Sequence, residues 1–226
     1  MVDNQFKEGV KAALPIVLGY IPVGMAFGVL ARNAGLSPFE SGSMSLLVYA
    51  GASQFIAVEM ISRGIPWAPI VLTTFFVNLR HLLMSSTVSL YFNRHSLWAM
   101  GILSGQLTDE SFAIAMADPS KISNRPGYLF ALQMTSQLAW ITGTVEGALS
   151  GSFINSSSYG IPFALPSLFI CLLVLQLKSR IHLCVMGLAC ILSLLFKAYV
   201  QGNWYIVMAA VVASIAGLWL EVRRRK

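Results

Sequence analysis

The sequence predicts an all-α integral membrane protein, a polytopic bundle of about eight transmembrane helices. Three observations carry that prediction. Of the 226 residues 56% are hydrophobic, and the mean hydropathy is +0.71. Only 11% are charged, against roughly 25% in an average soluble domain, so there is too little polar surface to face water on every side. Uncharged runs cover 12–31, 41–58, 126–145, 147–177 and 198–220, each near or beyond the ~20 residues that cross a bilayer as a helix.

The net charge of +6 does not point to nucleic acid. The basic residues are spread between apolar runs, and four close the chain as Arg223-Arg224-Arg225-Lys226. That pattern suits an orientation signal and contact with anionic lipid headgroups. Cys171, Cys184 and Cys190 all lie in apolar segments. An odd number without paired spacing argues against a disulfide framework or a metal site, so they read as small core or lipid-facing residues. The start, 1–11, is polar and carries both signs of charge, so no cleavable signal is expected.

Eight spans are expected, at approximately 12–31, 43–62, 66–91, 97–117, 128–150, 162–177, 181–197 and 203–221. Seven is the alternative count if 162–197 is misread. With the N-terminus inside, inside segments hold Lys7, Lys11, Arg63, Lys121, Arg125, Lys178, Arg180 and the terminal cluster. Outside segments hold only Arg32, Arg94 and Lys197. The asymmetry predicts cytoplasmic N- and C-termini.

The first span carries Pro15, Gly19, Pro22, Gly24 and Gly28. Proline removes a backbone donor, which is tolerated where a neighbour or a cavity satisfies the freed groups. Gly24 and Gly28 form a small-xxx-small packing face. That face accounts for most of the pattern; a broken helix beside a binding site is the functional alternative. The second span reads Tyr49-Ala50-Gly51-Ala52-Ser53-Gln54-Phe55, with Gln54 a strong polar group at mid-depth. Its polar side chains either bond across helices or line a substrate path. Glu59 precedes Arg63 by four residues, the favourable order for a helical pair.

The third span is long, hence tilted or broken near Asn78, and contains the most expensive residues of the chain: Arg80 and His81. A charge at the bilayer centre costs about 2.5–3.5 kcal/mol by insertion scales. A counterpart is available in Thr108-Asp109-Glu110-Ser111, near the middle of the fourth span. Adjacent carboxylates on a helix diverge by about 100°, so one is expected to pair with Arg80 and the other to face a cavity. His81, on a diverging position, is the less certain partner. A carboxylate whose charge depends on such a partner is a reasonable proton carrier. The fifth span places Gln133, Gln137 and Trp140 on one face, with Glu146 near its outer end. Gly143, Gly147 and Gly151 again space small residues by four. Gly24 and Gly28 followed by Gln54 parallel Gly143 and Gly147 followed by Gln176, which suggests two parallel repeats.

The motifs Gly19-Tyr20-Ile21-Pro22, Tyr49 to Phe55, Asn78-Leu79-Arg80-His81 and Thr108-Asp109-Glu110, taken together, resemble the AzlC (YgaZ-like) family. The resemblance covers nearly the whole chain. It implies one transmembrane transporter domain over 1–226, the large subunit of a branched-chain amino-acid exporter of the cell inner membrane. It implies a small AzlD (YgaH-like) membrane partner, and export of valine, leucine and isoleucine, with methionine a further candidate. Members are sometimes labelled ATP-driven permeases, but the sequence has no G-x-x-x-x-G-K-[ST] phosphate loop, and neither a cofactor nor a metal is expected.

An amino-acid zwitterion needs a cationic contact, an acceptor for its ammonium and an apolar pocket. The residues themselves nominate Arg80, Gln54, Ser53, Gly51, Tyr49 and Asn78 for the substrate. Asp109, Glu110 and His81 are nominated for proton and ion-pair roles, and Phe55, Phe75 and Phe76 for the apolar wall. Two other classes compete. A membrane-embedded hydrolase built on His81, Ser85 and Asp109 lacks a nucleophile motif. A passive channel is compatible with scattered polar residues.

Overall fold

The computed structural model describes residues 2–91, 97–154, 160, 163, 166–167, 170, 173–174, 177, 179–199 and 204–225. Among the described residues there are ten helices and no strand. They fall into two units, 1–165 and 166–226. The first contains α1 (Val2–Asn33), α2 (Pro38–Leu47), α3 (Gly51–Ser62), α4 (Trp67–Ser89), α5 (Leu97–Gly105), α6 (Asp109–Ala117), α7 (Pro119–Asn124) and α8 (Pro126–Ser150). The second contains α9 (Arg180–Tyr199) and α10 (Trp204–Arg225). Among the described residues, three stretches are long and apolar enough to cross a membrane: Asn4–Asn33, Trp67–Ser89 and Ile181–Tyr199.

α1 is continuous although Pro15 and Pro22 lie inside it. At about 1.5 Å per residue it is about 48 Å long. Its partner is α8, which runs parallel to it. A side chain at Gly28 would meet the Thr144 carbonyl at 2.1 Å, and one at Gly147 would meet the Met25 carbonyl at 2.1 Å. Gly24 abuts the Trp140 carbonyl, Gly143 the Ile21 carbonyl, and Gly9 the Tyr128 carbonyl. The two small-xxx-small faces noted in the sequence therefore pack on each other. Without a hydrophobic drive between helices in lipid, such close backbone approach is what holds them together. An ion pair between Arg125 and Glu8 (2.7 Å) ties the starts of the two helices. The seam pairs residues about 120 apart in the chain; Gln176, a marker of the repeat suggested by the sequence, lies outside the described residues.

Two expected spans are interrupted. The stretch 43–62 breaks at Val48–Ala50, between α2 and α3, and 97–117 breaks at Gln106–Thr108, between α5 and α6. Hydropathy runs unbroken through the first, and the second turns polar at its break, but backbone hydrogen bonding is interrupted in both. In the first break Tyr49 takes a left-handed conformation, φ 40°, unfavourable for a side chain of that size. In the second, Thr108 caps α6: its Oγ1 accepts from the Ser111 N–H (3.3 Å) and its own N–H donates to Ser111 Oγ (2.9 Å). By contrast 66–91, expected to be tilted or broken near Asn78, is one continuous helix as far as Ser89.

The ends of α1 and α3 show why glycine stands at Gly35 and Gly64. Gly35 has φ 96° and Gly64 φ 68°. Each closes a paired C-terminal cap, Leu36 N–H to Ala31 O (3.0 Å) with Gly35 N–H to Arg32 O (3.0 Å), and Ile65 N–H to Met60 O (3.0 Å) with Gly64 N–H to Ile61 O (2.9 Å). Only glycine enters that backbone region freely. At the start of α2, Pro38 follows the capping Ser37, and Glu40 reaches back to the Ser37 N–H (2.7 Å). The contacts from Ser37 hold the Glu40 carboxyl below the usual carboxylate range. Glu59 and Arg63 form the expected pair one turn apart (2.7 Å).

In the second unit, α9 and α10 pack as a pair, with Gly217 seated against Val185. Cys184 and Cys190 are exposed free thiols on α9. The sixth expected span, 162–177, and Cys171 lie mostly or wholly outside the described residues.

Candidate functional site

The two helix breaks, α4, α1 and α8 build one polar region inside the first unit. Its charge centre is the expected one. Arg80 Nη1 on α4 lies 2.7 Å from Asp109 Oδ2, with side-chain exposures of 32% and 18%. Asp109 is the first residue of α6 and not a mid-helix residue. That corrects the sequence reading and strengthens the physical argument. A carboxylate in the first turn faces the unsatisfied N–H groups and the positive end of the helix dipole. Arginine and helix end thus offset together the burial of Asp109.

Glu110 diverges from Asp109 and meets α1 rather than a cavity. The Tyr20 hydroxyl donates to Glu110 Oε2 at 2.5 Å and lies 2.8 Å from Thr108 Oγ1. Tyr20 was not nominated as a site residue. Its signal was available in the Gly19-Tyr20-Ile21-Pro22 motif, a hydroxyl on the packing helix at mid-depth. Tyr49, at the other break, is buried and faces the same groups, Thr108 and Glu110, and its hydroxyl makes a loose contact with Thr108 that falls short of a hydrogen bond.

Ser53 and Asn78 are brought together: Ser53 Oγ donates to Asn78 Oδ1 at 2.6 Å. This contact sets the first turn of α3 beside α4, two residues before Arg80. That first turn has no side-chain cap, since Ala50 stands at the capping position. The N–H groups of Gly51 and its neighbours therefore keep the anion-favouring character of a helix start. His81 is partly buried next to Arg80 on α4.

Gln54 has a different place from the one expected. It is fully buried, its Nε2 donates to Ser45 Oγ (3.0 Å), and its Oε1 accepts from Trp140 Nε1 (2.9 Å). Ser45 in turn bonds Thr144 (2.8 Å), and Thr144 donates to the Trp140 carbonyl (2.8 Å). Both ends of the amide are taken by protein, so Gln54 joins α2, α3 and α8 and has no free end for a substrate. A side chain at Gly51 would strike the Trp140 ring at 3.1 Å, so this glycine also seats the indole.

The apolar wall is corrected too. Phe55 packs in the core against Phe27 (5.4 Å between centroids) and Trp140 (6.5 Å). Phe75 and Phe76 lie on the exposed surface of α4 against each other. Ser85, the nucleophile of the hydrolase alternative, donates to the Ser104 carbonyl (3.1 Å).

Among the described residues, four buried side-chain atoms have no hydrogen-bond partner: Tyr49 Oη, Arg80 Nε, Gln106 Oε1 and Gln133 Oε1. Buried polar groups are normally paired, so this set marks where the polar region is incomplete.

Interrupted helices that enclose a charge pair and unpaired polar atoms in an apolar bundle define a helical membrane protein. The family model described as AzlC protein matches residues 15–154, which include every site residue above. The inner membrane protein YgaZ of Escherichia coli is 36% identical over 192 residues, covering 80% of this chain and 76% of that protein. A membrane protein of Archaeoglobus fulgidus is also 36% identical, over 178 residues and 77% of each chain. The branched-chain amino acid transport protein AzlC of Bacillus subtilis is 24% identical over 225 residues, 97% of this chain and 85% of that one. No solved structure matches the chain. The chain belongs to the AzlC family of membrane proteins.

Proposed function

We propose that this chain is the large subunit of an inner-membrane secondary transporter that exports branched-chain amino acids. It works with a small AzlD-type membrane subunit and is driven by the proton gradient. The observation that carries the reading is the Arg80–Asp109 pair (2.7 Å) at the start of an interrupted helix. Two unpaired buried groups beside it, Arg80 Nε and the Tyr49 hydroxyl, can both donate. A substrate carboxylate offers the acceptors they lack, and guanidinium binds carboxylate through two parallel N–H groups. Engaging Arg80 in that way weakens its hold on Asp109, so that substrate or a proton competes for the pair through one arginine. The uncapped start of α3, held to α4 by the Ser53–Asn78 bond, adds further N–H groups toward the same anion.

The charge asymmetry supports eight spans with both termini cytoplasmic. The parallel course of α1 and α8 is in keeping with three crossings between them. The names of the Escherichia coli and Bacillus subtilis relatives support the membrane and the substrate class.

The test is counterflow of labelled leucine in proteoliposomes holding both subunits, with and without a pH gradient. A carrier exchanges label against unlabelled leucine, and the gradient accelerates it; a channel does not exchange. Arg80→Ala is expected to lower transport by about thirtyfold or more, since truncating one member of a hydrogen-bonded charge pair costs about 2–5 kcal/mol. Full transport by Arg80→Ala would sink the proposal.

A further inference from the structure

Three glutamines near the breaks are oriented by two backbone carbonyls. Gln133 Nε2 donates to the Leu103 carbonyl at 2.7 Å, and Gln137 Nε2 donates to the Leu46 carbonyl at 3.0 Å. A carbonyl only accepts, so each contact fixes which end of the amide is NH2. Gln137 Oε1 is then left to accept from Gln106 Nε2 (3.3 Å). That in turn settles Gln106. What remains is a surplus of acceptors: Gln106 Oε1 and Gln133 Oε1, both buried and both without a donor. Gln133 as a whole has 0% exposure.

Two further facts give this surplus a sign. Leu46 lies in the last turn of α2, and Leu103 in the last turn of α5. The final carbonyls of a helix are unsatisfied and carry the negative end of its dipole. The end of α5 is thus directed at Gln133 and the end of α2 at Gln137, one turn apart on α8. The charged groups that follow Gln106 in the chain are Asp109, whose charge Arg80 offsets, and Glu110. Three residues of chain reach at most about 11 Å, so Gln106 and the Arg80–Asp109 pair belong to one neighbourhood.

We propose that Gln106 and Gln133, with the carbonyl ends of α2 and α5, form a site for a small cation: a primary ammonium group or an alkali ion. The ammonium form deepens the transport reading and rests on it. The four unpaired buried atoms then divide into two donors, Arg80 Nε and Tyr49 Oη, and two acceptors, Gln106 Oε1 and Gln133 Oε1. An α-amino acid carries the complement, a carboxylate and an ammonium. The alkali form needs no amino acid and stands without that reading.

Direct binding to the purified full chain separates these cases. The probes are isoamylamine, which has the ammonium alone; isocaproate, which has the carboxylate alone; leucine, which has both; and sodium or potassium chloride against choline chloride. For an ammonium site, isoamylamine and leucine bind the wild type. Gln133→Leu weakens both at least about tenfold, the loss of a hydrogen bond to a charged group, and leaves isocaproate unchanged. For an alkali site, sodium or potassium raises the melting temperature above choline, and Gln133→Leu abolishes the difference. Gln106→Leu, at a partly exposed position, should do the same if Gln133→Leu does not fold, and Gln106→Glu should tighten either cation. Amine binding without leucine binding keeps this site and rejects the amino-acid substrate. Neither amine nor alkali ion binding the wild type, or equal binding to the leucine variants, overturns the site.

Discussion

Along α1 and α8, Gly24, Gly28, Gly143 and Gly147 let backbone meet backbone. At the two helix breaks, side chains face each other across unpaired polar atoms. Tyr20 and Trp140 belong to both regions, packed edge to face at 5.3 Å. Proline, the residue most expected to break a helix, is found twice in the seam helix that stays whole. It is absent from the interrupted stretches 43–62 and 97–117. The difference teaches that proline content does not locate the breaks. The prolines of α1 lie on its exposed face, away from the seam with α8, while the breaks are marked by a threonine cap and a tyrosine in a left-handed backbone.

The sharpest way to test the contrast is to add atoms to the seam. Gly147→Leu is expected to abolish folding. Gly147→Ala should cost at or beyond the upper end of the ~1–3 kcal/mol of an overpacked core, because its new methyl would lie 2.1 Å from a carbonyl. Gly19→Ala, on the same helix with nothing within 4 Å of its Cβ, should be neutral or stabilising by about 0.5–1 kcal/mol. Thermal melting in detergent reads all three, and equal losses for Gly147→Ala and Gly19→Ala would dissolve the distinction.

Gln54 joins the seam to the first break. Gln54→Leu strands Trp140 Nε1–H, while Ser45 Oγ keeps its bond to Thr144, and should cost about 1–3 kcal/mol. In the protein that survives, the KM for leucine should be unchanged, since neither end of the amide is free for substrate. A large rise in KM at normal stability would return Gln54 to the binding site.

The tyrosines give the smallest and cleanest comparison. Tyr20→Phe leaves Glu110 without its donor and should cost about 1–3 kcal/mol. Tyr49→Phe removes a hydroxyl that has no hydrogen-bond partner, so melting should shift by less than about 0.5 kcal/mol. Equal losses from the two would show that Tyr49 has a partner in the folded protein.

The Arg80–Asp109 pair was legible because a buried charge demands a counter-charge and the chain offers few. The facing glycine pairs were legible for a similar reason: small residues every fourth position serve little but close packing. The breaks were hidden because hydropathy reports where a side chain is comfortable, not whether the backbone ladder is intact. One signal was present and misread. Thr108 followed by two acids and Ser111 is a helix-start pattern, and it had been placed in mid-span. At Tyr49 nothing in the residue type announces a left-handed backbone. Gln54 was read as either bonding across helices or lining a substrate path, because the sequence does not show that Ser45 and Trp140 wait on either side of it.

The seam also acts as a ruler. Where carbonyls nest against missing side chains every four residues, two helices can slide past each other only in whole glycine intervals of about 6 Å. A slip of that size would carry Tyr20 away from Glu110, now 2.5 Å apart. Small vertical adjustments between α1 and α8 are therefore forbidden, and movement within this unit falls to the articulated pieces on either side of Tyr49 and Gln106, turning against a fixed spine.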